Sequence, residues 1–213
     1  MQAIFAAIEE AGNLGSPSNP AFRRTSDLFA IRRFLQAVPA VQSLIFTPRL
    51  NALIKEVFGP GYFPVRSIYF DKPPGSNWFV AWHQDLTISV DRKLPLPGFG
   101  PWTVKGDHFG VQPPPNILEG MYTIRIHLDD TDESNGALRV LPGSHCNGIE
   151  RYSSSTPNTS EDTCRVPSGG IMVMRPLLQH ASSRSSAGKR RRVIHIEFSN
   201  GRFTCRLELG RAP

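Results

Sequence analysis

Apolar residues at helical spacing mark the beginning of the chain, and this pattern predicts two helices. Ser26 can cap the first helix, whose apolar positions are Leu28, Ile31, Leu35 and Val38. The second helix begins after Thr47, has Pro48 in its first turn and ends before Gly59. Its apolar positions are Leu50, Leu53, Ile54 and Val57. Residues 1–61 are therefore expected to form a helical region.

Short runs rich in β-branched and aromatic residues follow from about residue 62. They predict strands at residues 62–70, 77–82, 121–128, 137–141, 171–174, 193–198 and 203–207. Turn signals such as Asn135-Gly136 and Pro142-Gly143 separate these runs, and no helical pattern lies between them. We therefore expect a mainly β fold with N-terminal helices. An antiparallel sandwich or barrel would span residues 62–213, with the helical region packed on it in a single domain.

Two segments show no regular pattern. Residues 91–119 contain six prolines and four glycines, and residues 146–170 are rich in serine and threonine. Ordered segments of this length are often lids or binding loops, and variable surface loops are the equal alternative.

The composition is that of a globular protein. With 39% hydrophobic and 20% charged residues, the chain can bury a core. Its three cysteines, Cys146, Cys164 and Cys205, lie far apart, which argues against a disulfide framework and favours a reducing compartment. The apolar runs are far shorter than the roughly 20 residues that span a bilayer, and residues 1–12 lack the basic region of a signal peptide. We expect a cytoplasmic protein without membrane association.

The net charge of +6 is confined to one segment. Residues 179–213 hold eight basic and two acidic side chains, and the rest of the chain is balanced. A nucleic-acid-binding protein usually carries basic clusters over much of its length, so no nucleic acid is expected as a partner. The local surplus is compatible with a small anionic substrate, such as a CoA thioester or one of many other anions.

Candidate metal chemistry begins at Trp82-His83-Gln84-Asp85, at the end of a predicted strand. Side chains alternate along a strand, so His83 and Asp85 face the same side and can bind one metal ion. His180, just past the predicted strand 171–174, can supply a third ligand. Two histidines and one carboxylate with open positions on the ion are typical of non-haem Fe(II) oxygenases.

A second His-x-Asp pair, His127 and Asp129, has the same spacing and also precedes His180. It leads directly into the acidic turn at 130–136, so Asp129 is better explained as the first residue of that turn. A buried or turn-facing His127 fits the same explanation. We therefore predict that His83 and Asp85, with His180, are the metal ligands.

Arg191 is the candidate anchor for a co-substrate. Along the predicted strand, Arg191 shares one face with Val193, His195 and Glu197. An Fe(II) site that activates dioxygen needs an electron donor, and 2-oxoglutarate can fill two open positions on the iron. Its far carboxylate would then suit the planar fork of an arginine. A solvated surface cluster is the alternative for the basic run 189–192.

The chain resembles the phytanoyl-CoA dioxygenase family in four motifs. They are Trp-His-Gln-Asp at 82–85, Asn-Gly-Ala-Leu-Arg-Val-Leu-Pro-Gly-Ser-His at 135–145, His-Ala-Ser-Ser at 180–183 and Arg-Arg-Val-Ile-His-Ile-Glu-Phe at 191–198. The resemblance implies a double-stranded β-helix (jelly-roll, cupin-like) core. It also implies that His83, Asp85 and His180 bind Fe(II) and that Arg191 binds 2-oxoglutarate. Such an enzyme uses O2 to hydroxylate an unactivated C–H bond of a small molecule, with release of succinate and CO2.

The same resemblance implies further contacts to 2-oxoglutarate. Lys72 and Gln84 lie where similar enzymes place polar groups around the co-substrate, and Ser182 is a candidate hydrogen-bond donor to its far carboxylate. Thr123 and Arg125 share a strand face, and both could contribute to the same group of contacts. A strand-edge or solvent-facing position is the alternative for Lys72, Gln84 and Thr123.

Two other functions stay open at this point. A nucleobase demethylase of the same superfamily is suggested by the basic C-terminal segment, and it would bind nucleic acid in a strongly salt-dependent way. A metal-binding jelly-roll without oxygenase activity would keep the metal ligands but would not respond to 2-oxoglutarate.

Overall fold

The structure is a computed structural model that describes residues 1–14, 21–24, 28–73, 79–90, 92–105, 108–150, 160–185 and 188–201. The predicted strand at 203–207 and the proposed cap Ser26 lie outside these ranges. Within them, no helix combines the length and the apolar character needed to cross a bilayer. The protein is mainly β, with most of its helical residues near the N-terminus, as the sequence predicts.

Five α-helices occur in the described ranges. They are α1 (Gln2–Leu14), α2 (Phe34–Ala37), α3 (Val41–Ile45), α4 (Pro48–Phe58) and α5 (Pro115–Glu119), with 3-10 turns at Glu133–Asn135 and Ser144–Asn147. Helix α4 confirms the second predicted helix. Oγ1 of Thr47 accepts a hydrogen bond from the backbone N of Leu50 (3.3 Å), and Pro48 occupies the first turn. Gly59 ends the helix with a φ of 92°, which disfavours any residue with a side chain.

Thirteen strands occur in the same ranges. They are β1 (Phe22–Arg24), β2 (Leu28–Arg32), β3 (Phe63–Lys72), β4 (Val80–His83), β5 (Ile88–Val90), β6 (Trp102–Lys105), β7 (His108–Val111), β8 (Tyr122–His127), β9 (Leu138–Val140), β10 (Asp162–Thr163), β11 (Ile171–Met174), β12 (His180–Ser182) and β13 (Arg191–Ser199). The six strands predicted between residues 62 and 198 are confirmed, because each overlaps an observed strand.

Two of the three antiparallel sheets form the walls of the core. The larger sheet has the order β1-β2-β3-β13-β8-β11, and the smaller sheet has the order β10-β9-β12-β4. Strands that are neighbours in these sheets are mostly distant in sequence, as in a jelly-roll. Side chains from both sheets line one cavity, which therefore lies between them.

The first predicted helix is wrong over its first half. Leu28–Arg32 form strand β2, and only Phe34–Ala37 are helical. Because β2 pairs with β3, its backbone hydrogen bonds are made within a sheet. Arg33 adopts a left-handed conformation (φ 49°, ψ 46°) and turns the chain between the two elements. This arrangement buries Ile31 and Leu35 as completely as a continuous helix would, so apolar spacing alone did not distinguish the two.

The two faces of the larger sheet differ in chemistry. On the outer face, Ile194 and Phe198 of β13 pack in one apolar cluster with residues of α1 to α4. The inner face is polar. Charged and polar residues of β13 lie there beside charged residues of the neighbouring strands β3 and β8. Arg191 is paired with Lys72, His195 with Arg125, and Glu197 with Arg66. The helices thus cover the outside of the sheet, and its polar side faces the cavity.

The segment 91–119 is more regular than its sequence indicates. It contains β6, β7 and α5, and the third sheet has the order β5-β7-β6. Val90, Val111 and Leu118 are buried together in a second apolar cluster. Ile88 and Gly110 of this sheet also reach the cavity wall. In the other unassigned segment, β10 pairs with β9 and extends the smaller sheet.

Candidate metal centre and cavity

The two predicted histidine ligands lie opposite each other on neighbouring strands. His83 ends β4 and His180 begins β12, and the two are register partners in the smaller sheet. Their ring centroids are 4.2 Å apart. Asp85, just beyond β4, places Oδ2 3.8 Å from Nε2 of His180. One potential ligand atom from each of the three side chains lies within 4.8 Å of the other two.

Backbone carbonyl groups orient both imidazole rings. Nδ1 of His83 lies 2.8 Å from the carbonyl oxygen of Ala81, and Nδ1 of His180 lies 2.8 Å from that of Leu178. A carbonyl oxygen can only accept a hydrogen bond, so each Nδ1 carries the proton and each Nε2 presents a lone pair. Metal-binding histidines are typically held in this way by a hydrogen bond at the other ring nitrogen.

The charges at this site also suit a cation. Burial lowers the pKa of His180 to about 4, so its imidazole is neutral at physiological pH. For Asp85, burial opposes ionisation, but electrostatic interactions with His180, His195 and Arg66 together lower the pKa of the carboxyl below its ordinary value. Oδ2 of Asp85 is buried and has no hydrogen-bond partner in the described part of the chain. Such a carboxylate is costly to bury alone, and a bound divalent cation would compensate it.

Arg191 lies inside the barrel, and its guanidinium has no acidic partner among the residues that the structure describes. Nη1 donates a hydrogen bond to the carbonyl oxygen of Gly136 (2.5 Å), and Nη2 lies 3.4 Å from Oγ of Ser182. Nε is buried without a partner. Burial and the nearby charge of Arg125 lower the pKa of Arg191 to about 9, so the side chain is still a cation at neutral pH. The site therefore fits a carboxylate.

The other predicted contacts have different surroundings. Ser182 lines the cavity, and its hydroxyl donates to the carbonyl oxygen of Gly136 (2.8 Å). Lys72 is buried beside Arg191 and donates to the carbonyl oxygen of Ser183 (2.7 Å). Burial, and then the charge of Arg191, lower the pKa of Lys72 to about 8. The structure does not place Lys72 on the cavity wall.

Gln84 and Thr123 are also away from the cavity wall. The amide nitrogen of Gln84 donates to the carbonyl oxygens of Gly148 (2.8 Å) and Leu177 (2.6 Å), and its amide oxygen accepts from the backbone N of Glu150 (2.9 Å). Gln84 thus joins three backbone segments beside the metal ligands. Thr123 is fully buried on β8.

The cavity between the sheets has a volume of about 370 Å³. Its wall includes the five residues predicted for the metal and the far carboxylate, namely His83, Asp85, His180, Ser182 and Arg191. Arg66 and His195, for which the sequence predicted no role, also line the cavity, as does Arg125, which was predicted only as a further contact beside Thr123. The alternation of β8 and β13 was the available signal, because Arg125 and His195 occupy inward positions on these strands.

A chain of polar contacts connects these additional residues. Nη1 of Arg125 lies 3.1 Å from Nδ1 of His195. Because a guanidinium can only donate, Nδ1 of His195 accepts this hydrogen bond and Nε2 of His195 carries the ring proton. Nε2 of His195 then donates to Oε1 of Glu197 (3.2 Å), which also accepts from Arg66 (2.9 Å). Asp85, His195 and Glu197 form a second group with metal-ligand spacing. Both ring nitrogens of His195 and Oε1 of Glu197 already take part in these contacts.

The rival His-x-Asp pair has a structural role. Nδ1 of His127 lies 2.8 Å from Oγ1 of Thr131, inside the turn that follows β8. Asp129 accepts hydrogen bonds from the backbone N, Nε and Nη2 of Arg192 at 2.8, 2.9 and 2.6 Å. Neither residue belongs to the metal-competent groups found in the described ranges.

The sequence profile of the family described as phytanoyl-CoA dioxygenase (PhyH) matches residues 1–193. A protein of Stutzerimonas stutzeri, described as a probable alpha-ketoglutarate-dependent hypophosphite dioxygenase, is 24% identical over 177 residues. The match covers 75% of this chain and 53% of the relative, so the chain spans about half the length of that protein.

Two solved structures show the same fold. EctD from S. alaskensis has a TM-score of 0.67 and 16% identity, over 92% of this chain and 68% of EctD. It has been solved with bound iron and with 2-oxoglutarate and 5-hydroxyectoine. ThoJ, a non-heme monooxygenase, has a TM-score of 0.67 and 16% identity, over 94% of this chain and 68% of ThoJ. These likenesses confirm the predicted jelly-roll, cupin-like core. Since the family profile covers most of its length, the chain belongs to the phytanoyl-CoA dioxygenase family.

Proposed function

We propose that the protein is an Fe(II)- and 2-oxoglutarate-dependent dioxygenase that hydroxylates an unactivated C–H bond of a small molecule and releases succinate and CO2. One observation carries the proposal. The candidate metal ligands His83, Asp85 and His180 share a cavity with Arg191, a buried arginine without an acidic partner among the described residues. A 2-His-1-carboxylate set beside a carboxylate-binding arginine matches an enzyme that needs both iron and 2-oxoglutarate.

The proposal gives each residue a specific task. His83, Asp85 and His180 would hold the metal, and Arg191 would bind the far carboxylate of 2-oxoglutarate with Ser182 beside it. When bound, Fe(II) and 2-oxoglutarate supply the oxidising chemistry with O2. The protein would orient these groups within the cavity between the two sheets.

Residues away from the wall would act indirectly. Lys72 would adjust the charge next to Arg191, because the two are register partners. Gln84 would hold the backbone that follows β4 and thereby keep Asp85 in place. Thr123 would support the inner face of the larger sheet from its buried position on β8.

The remaining parts of the proposal concern context. Residues 1–61 would belong to one domain with the jelly-roll, because β1 and β2 extend the larger sheet through β3. A cytoplasmic location is supported by Cys146 and Cys164, which are both free thiols. The substrate would be a small molecule, with an anion favoured by the arginines in the cavity.

The two alternatives have less support. A nucleobase demethylase would use exposed basic groups to bind phosphates, but Arg190 and Arg192 pair with Asp71 and Asp129 at 2.6 Å. A metal-binding jelly-roll without oxygenase activity would leave Arg191 as a buried cation without a carboxylate to bind.

Formation of succinate tests the proposal. Purified protein is incubated with Fe(II), 2-oxoglutarate and O2, and succinate is measured with the Asp85→Ala variant as the inactive reference. We expect slow uncoupled turnover by the wild type and none by the variant. Iron that stays bound without any effect of 2-oxoglutarate on its absorption spectrum would favour the metal-binding alternative. Tight, salt-sensitive binding of single-stranded DNA would favour the demethylase.

A further inference from the structure

The cavity is strongly basic. Among its described lining residues are six arginines and a single carboxylate, that of Asp85. The arginines are Arg23, Arg32, Arg33, Arg66, Arg125 and Arg191. Five of them come from strands β1, β2, β3, β8 and β13 of the larger sheet and one from the turn after β2, so the excess of positive charge lies along this sheet.

The proposed ligands account for part of this charge. Two positive charges of Fe(II) and that of Arg191 are balanced by Asp85 and the two carboxylates of 2-oxoglutarate. The charge of Arg66 is balanced by Glu197, at 2.9 Å. Arg125 and Arg32 remain, and neither guanidinium forms an ion pair with a carboxylate within the described ranges. Arg23 and Arg33 are exposed, so water screens their charges.

Arg125 is the strongest single indication of a missing ligand. Its side chain is buried, with 6% of its surface exposed, and it lines the cavity. Nη1 lies against Nδ1 of His195, and Nε is buried without any hydrogen-bond partner. The charge of Asp85 offsets part of the cost of burying this guanidinium, but the hydrogen bond described for it goes to an imidazole, and an anion in the cavity beside it would compensate the rest.

Arg32 lies on the same face of the larger sheet as Arg125, three strands away from it. It is the register partner of Ile68, Ile68 is the partner of His195, and His195 is the partner of Arg125. The four residues form one row across β2, β3, β13 and β8. Neighbouring strands are about 4.8 Å apart, so the Cα atoms of the two arginines are separated by about 14 Å. Ile68, which lies between them in the row, lines the same cavity as both arginines.

Arg66 completes the site from the next row. It lies two residues before Ile68 on β3, on the same face, and its hydrogen bond to Glu197 fixes its position. Oε1 of Glu197 also accepts a hydrogen bond from Nε2 of His195, which orients this imidazole toward Arg125. The network therefore positions Arg125, so the cation is held in place before any ligand binds.

We propose that Arg125 and Arg32, with Arg66 beside them, form a subsite for a doubly charged oxyanion group of the substrate, such as a phosphate or phosphonate. This assignment rests on the proposed function, because iron and 2-oxoglutarate neutralise the other charges of the cavity. Two unbalanced guanidinium groups match a dianion, and their planar donor pairs suit its oxygen atoms. The substrate would thus be fixed by its anionic end while another part of it reaches the metal.

Methylphosphonate is a suitable probe, because it is small and mostly dianionic at pH 8.5. The protein is loaded anaerobically with Fe(II) and 2-oxoglutarate, and the charge-transfer absorption of that complex reports its formation. Methylphosphonate is then titrated by calorimetry. We expect saturable binding that leaves 2-oxoglutarate in place. Arg125→Gln and Arg32→Gln should each weaken it by at least about tenfold, since each loses a charge-assisted pair. Acetate should bind at least about tenfold more weakly than methylphosphonate.

Arg49→Gln is the matched control, because it removes the same charge from an exposed position on α4. It should leave the affinity for methylphosphonate unchanged. Circular dichroism establishes that each variant is folded, and Arg32→Gln tests the subsite at a half-buried position even if Arg125→Gln does not fold. Equal affinities in wild type and both cavity variants would overturn the proposal, as would equal affinities for acetate and methylphosphonate.

The proposed function and the anion subsite can be tested separately. Absence of the charge-transfer absorption would count against the proposed function, whereas its presence without binding of methylphosphonate would refute the subsite alone. The same titration is therefore repeated on metal-free protein. If methylphosphonate binds the metal-free protein in a way that depends on Arg125 and Arg32 but not on Arg191, the subsite is supported independently of iron. If its binding depends only on Arg191, the proposed subsite is overturned.

Discussion

Nε2 of His180 lies 3.8 Å from Oδ2 of Asp85, and no hydrogen bond joins them. The imidazole is on β12 and the carboxylate follows β4, so the pairing of these strands sets the separation. Each atom presents a lone pair toward the other, which is unfavourable at close range in a buried site. A cation between them would convert this arrangement into a stabilising one.

The first prediction concerns metal content. Asp85→Ala and His180→Ala should each lose stoichiometric Fe(II) binding, because two remaining ligands hold a divalent ion poorly. Equilibrium dialysis against Fe(II) under anaerobic conditions, followed by elemental analysis, measures the content. His145→Ala is the matched control, since His145 lies in the 3-10 turn Ser144–Asn147, away from the cavity wall. Full iron content in either ligand variant would refute the assignment.

A second readout separates loss of a ligand from loss of the fold. In the metal-free protein, the carboxylate of Asp85 is buried without a hydrogen-bond partner among the described residues, and the interactions that lower its pKa offset the cost of this burial. Urea unfolding of metal-free wild type and Asp85→Ala should therefore give similar free energies of unfolding. Iron should raise the value for the wild type only.

The second prediction concerns the anchor for 2-oxoglutarate. Arg191→Gln should weaken the binding of 2-oxoglutarate to the metal-loaded protein by about 10- to 100-fold, the loss expected for charge-assisted hydrogen bonds. Fluorescence or calorimetric titration measures the dissociation constant. Arg184→Gln is the control, because Arg184 is an exposed residue of the same basic segment. An unchanged dissociation constant in Arg191→Gln would remove the anchor role.

The third prediction is a pH dependence caused by Lys72. Burial and the charge of Arg191 lower the pKa of Lys72 to about 8. A carboxylate bound to Arg191 would offset that charge and raise the pKa again, so 2-oxoglutarate would bind with uptake of a proton. Its affinity should therefore be constant below pH 8 and fall as the pH rises above it. Calorimetry with Mn(II)-loaded protein between pH 6.5 and 9.5 measures this dependence.

Lys72→Met separates this effect from titration elsewhere. The variant should bind 2-oxoglutarate with little change in affinity over the same pH range. The free energy of unfolding of the ligand-free wild type should change with pH in the opposite direction to the affinity. The reason is that Lys72 keeps its proton up to about pH 10.5 in the unfolded chain but loses it near pH 8 in the folded protein. The free energy of unfolding should thus gain a contribution from Lys72 as the pH rises through that interval, and this gain should be absent in Lys72→Met.

The sequence predicted those elements whose conformation is determined by residues close to them along the chain. Helix α4 was predictable because its cap, its proline and its glycine stop all lie within the helix or next to it. Strand β2 (Leu28–Arg32) was not predictable, because its partner β3 begins 31 residues after the end of β2. Pairing with β3 determined its conformation, although its apolar residues have helical spacing. The spacing of Ile31 and Leu35 satisfies both conformations.

The candidate site shows the same division. His83 and Asp85 were predictable from their spacing on one strand, and Arg191 from its place in an alternating strand. The basic subsite was not, since Arg32, Arg66 and Arg125 come together only through the register of four strands. Their separation along the chain carries no signal of that proximity.

The fourth prediction concerns Gln84, which sits between the two metal ligands of its motif. Its amide joins the carbonyl oxygens of Gly148 and Leu177 and the backbone N of Glu150. Gln84→Ala should lower the free energy of unfolding by about 1–3 kcal/mol, because buried backbone groups lose their partners. The dissociation constant of 2-oxoglutarate should stay within about twofold if the amide has no direct contact with it. A large loss of affinity with normal stability would instead place Gln84 at the co-substrate.

The last prediction distinguishes the two His-x-Asp pairs. Asp129 accepts three hydrogen bonds from Arg192, whereas Oδ2 of Asp85 has no partner among the described residues. Asp129→Ala should therefore lower the free energy of unfolding by about 1–3 kcal/mol and leave the Fe(II) content unchanged. Asp85→Ala should do the reverse, with lost iron and unchanged metal-free stability. Urea unfolding and iron analysis are carried out on both variants. If Asp129→Ala loses iron without losing stability, and Asp85→Ala loses stability but keeps its iron, the metal is bound by His127 and Asp129.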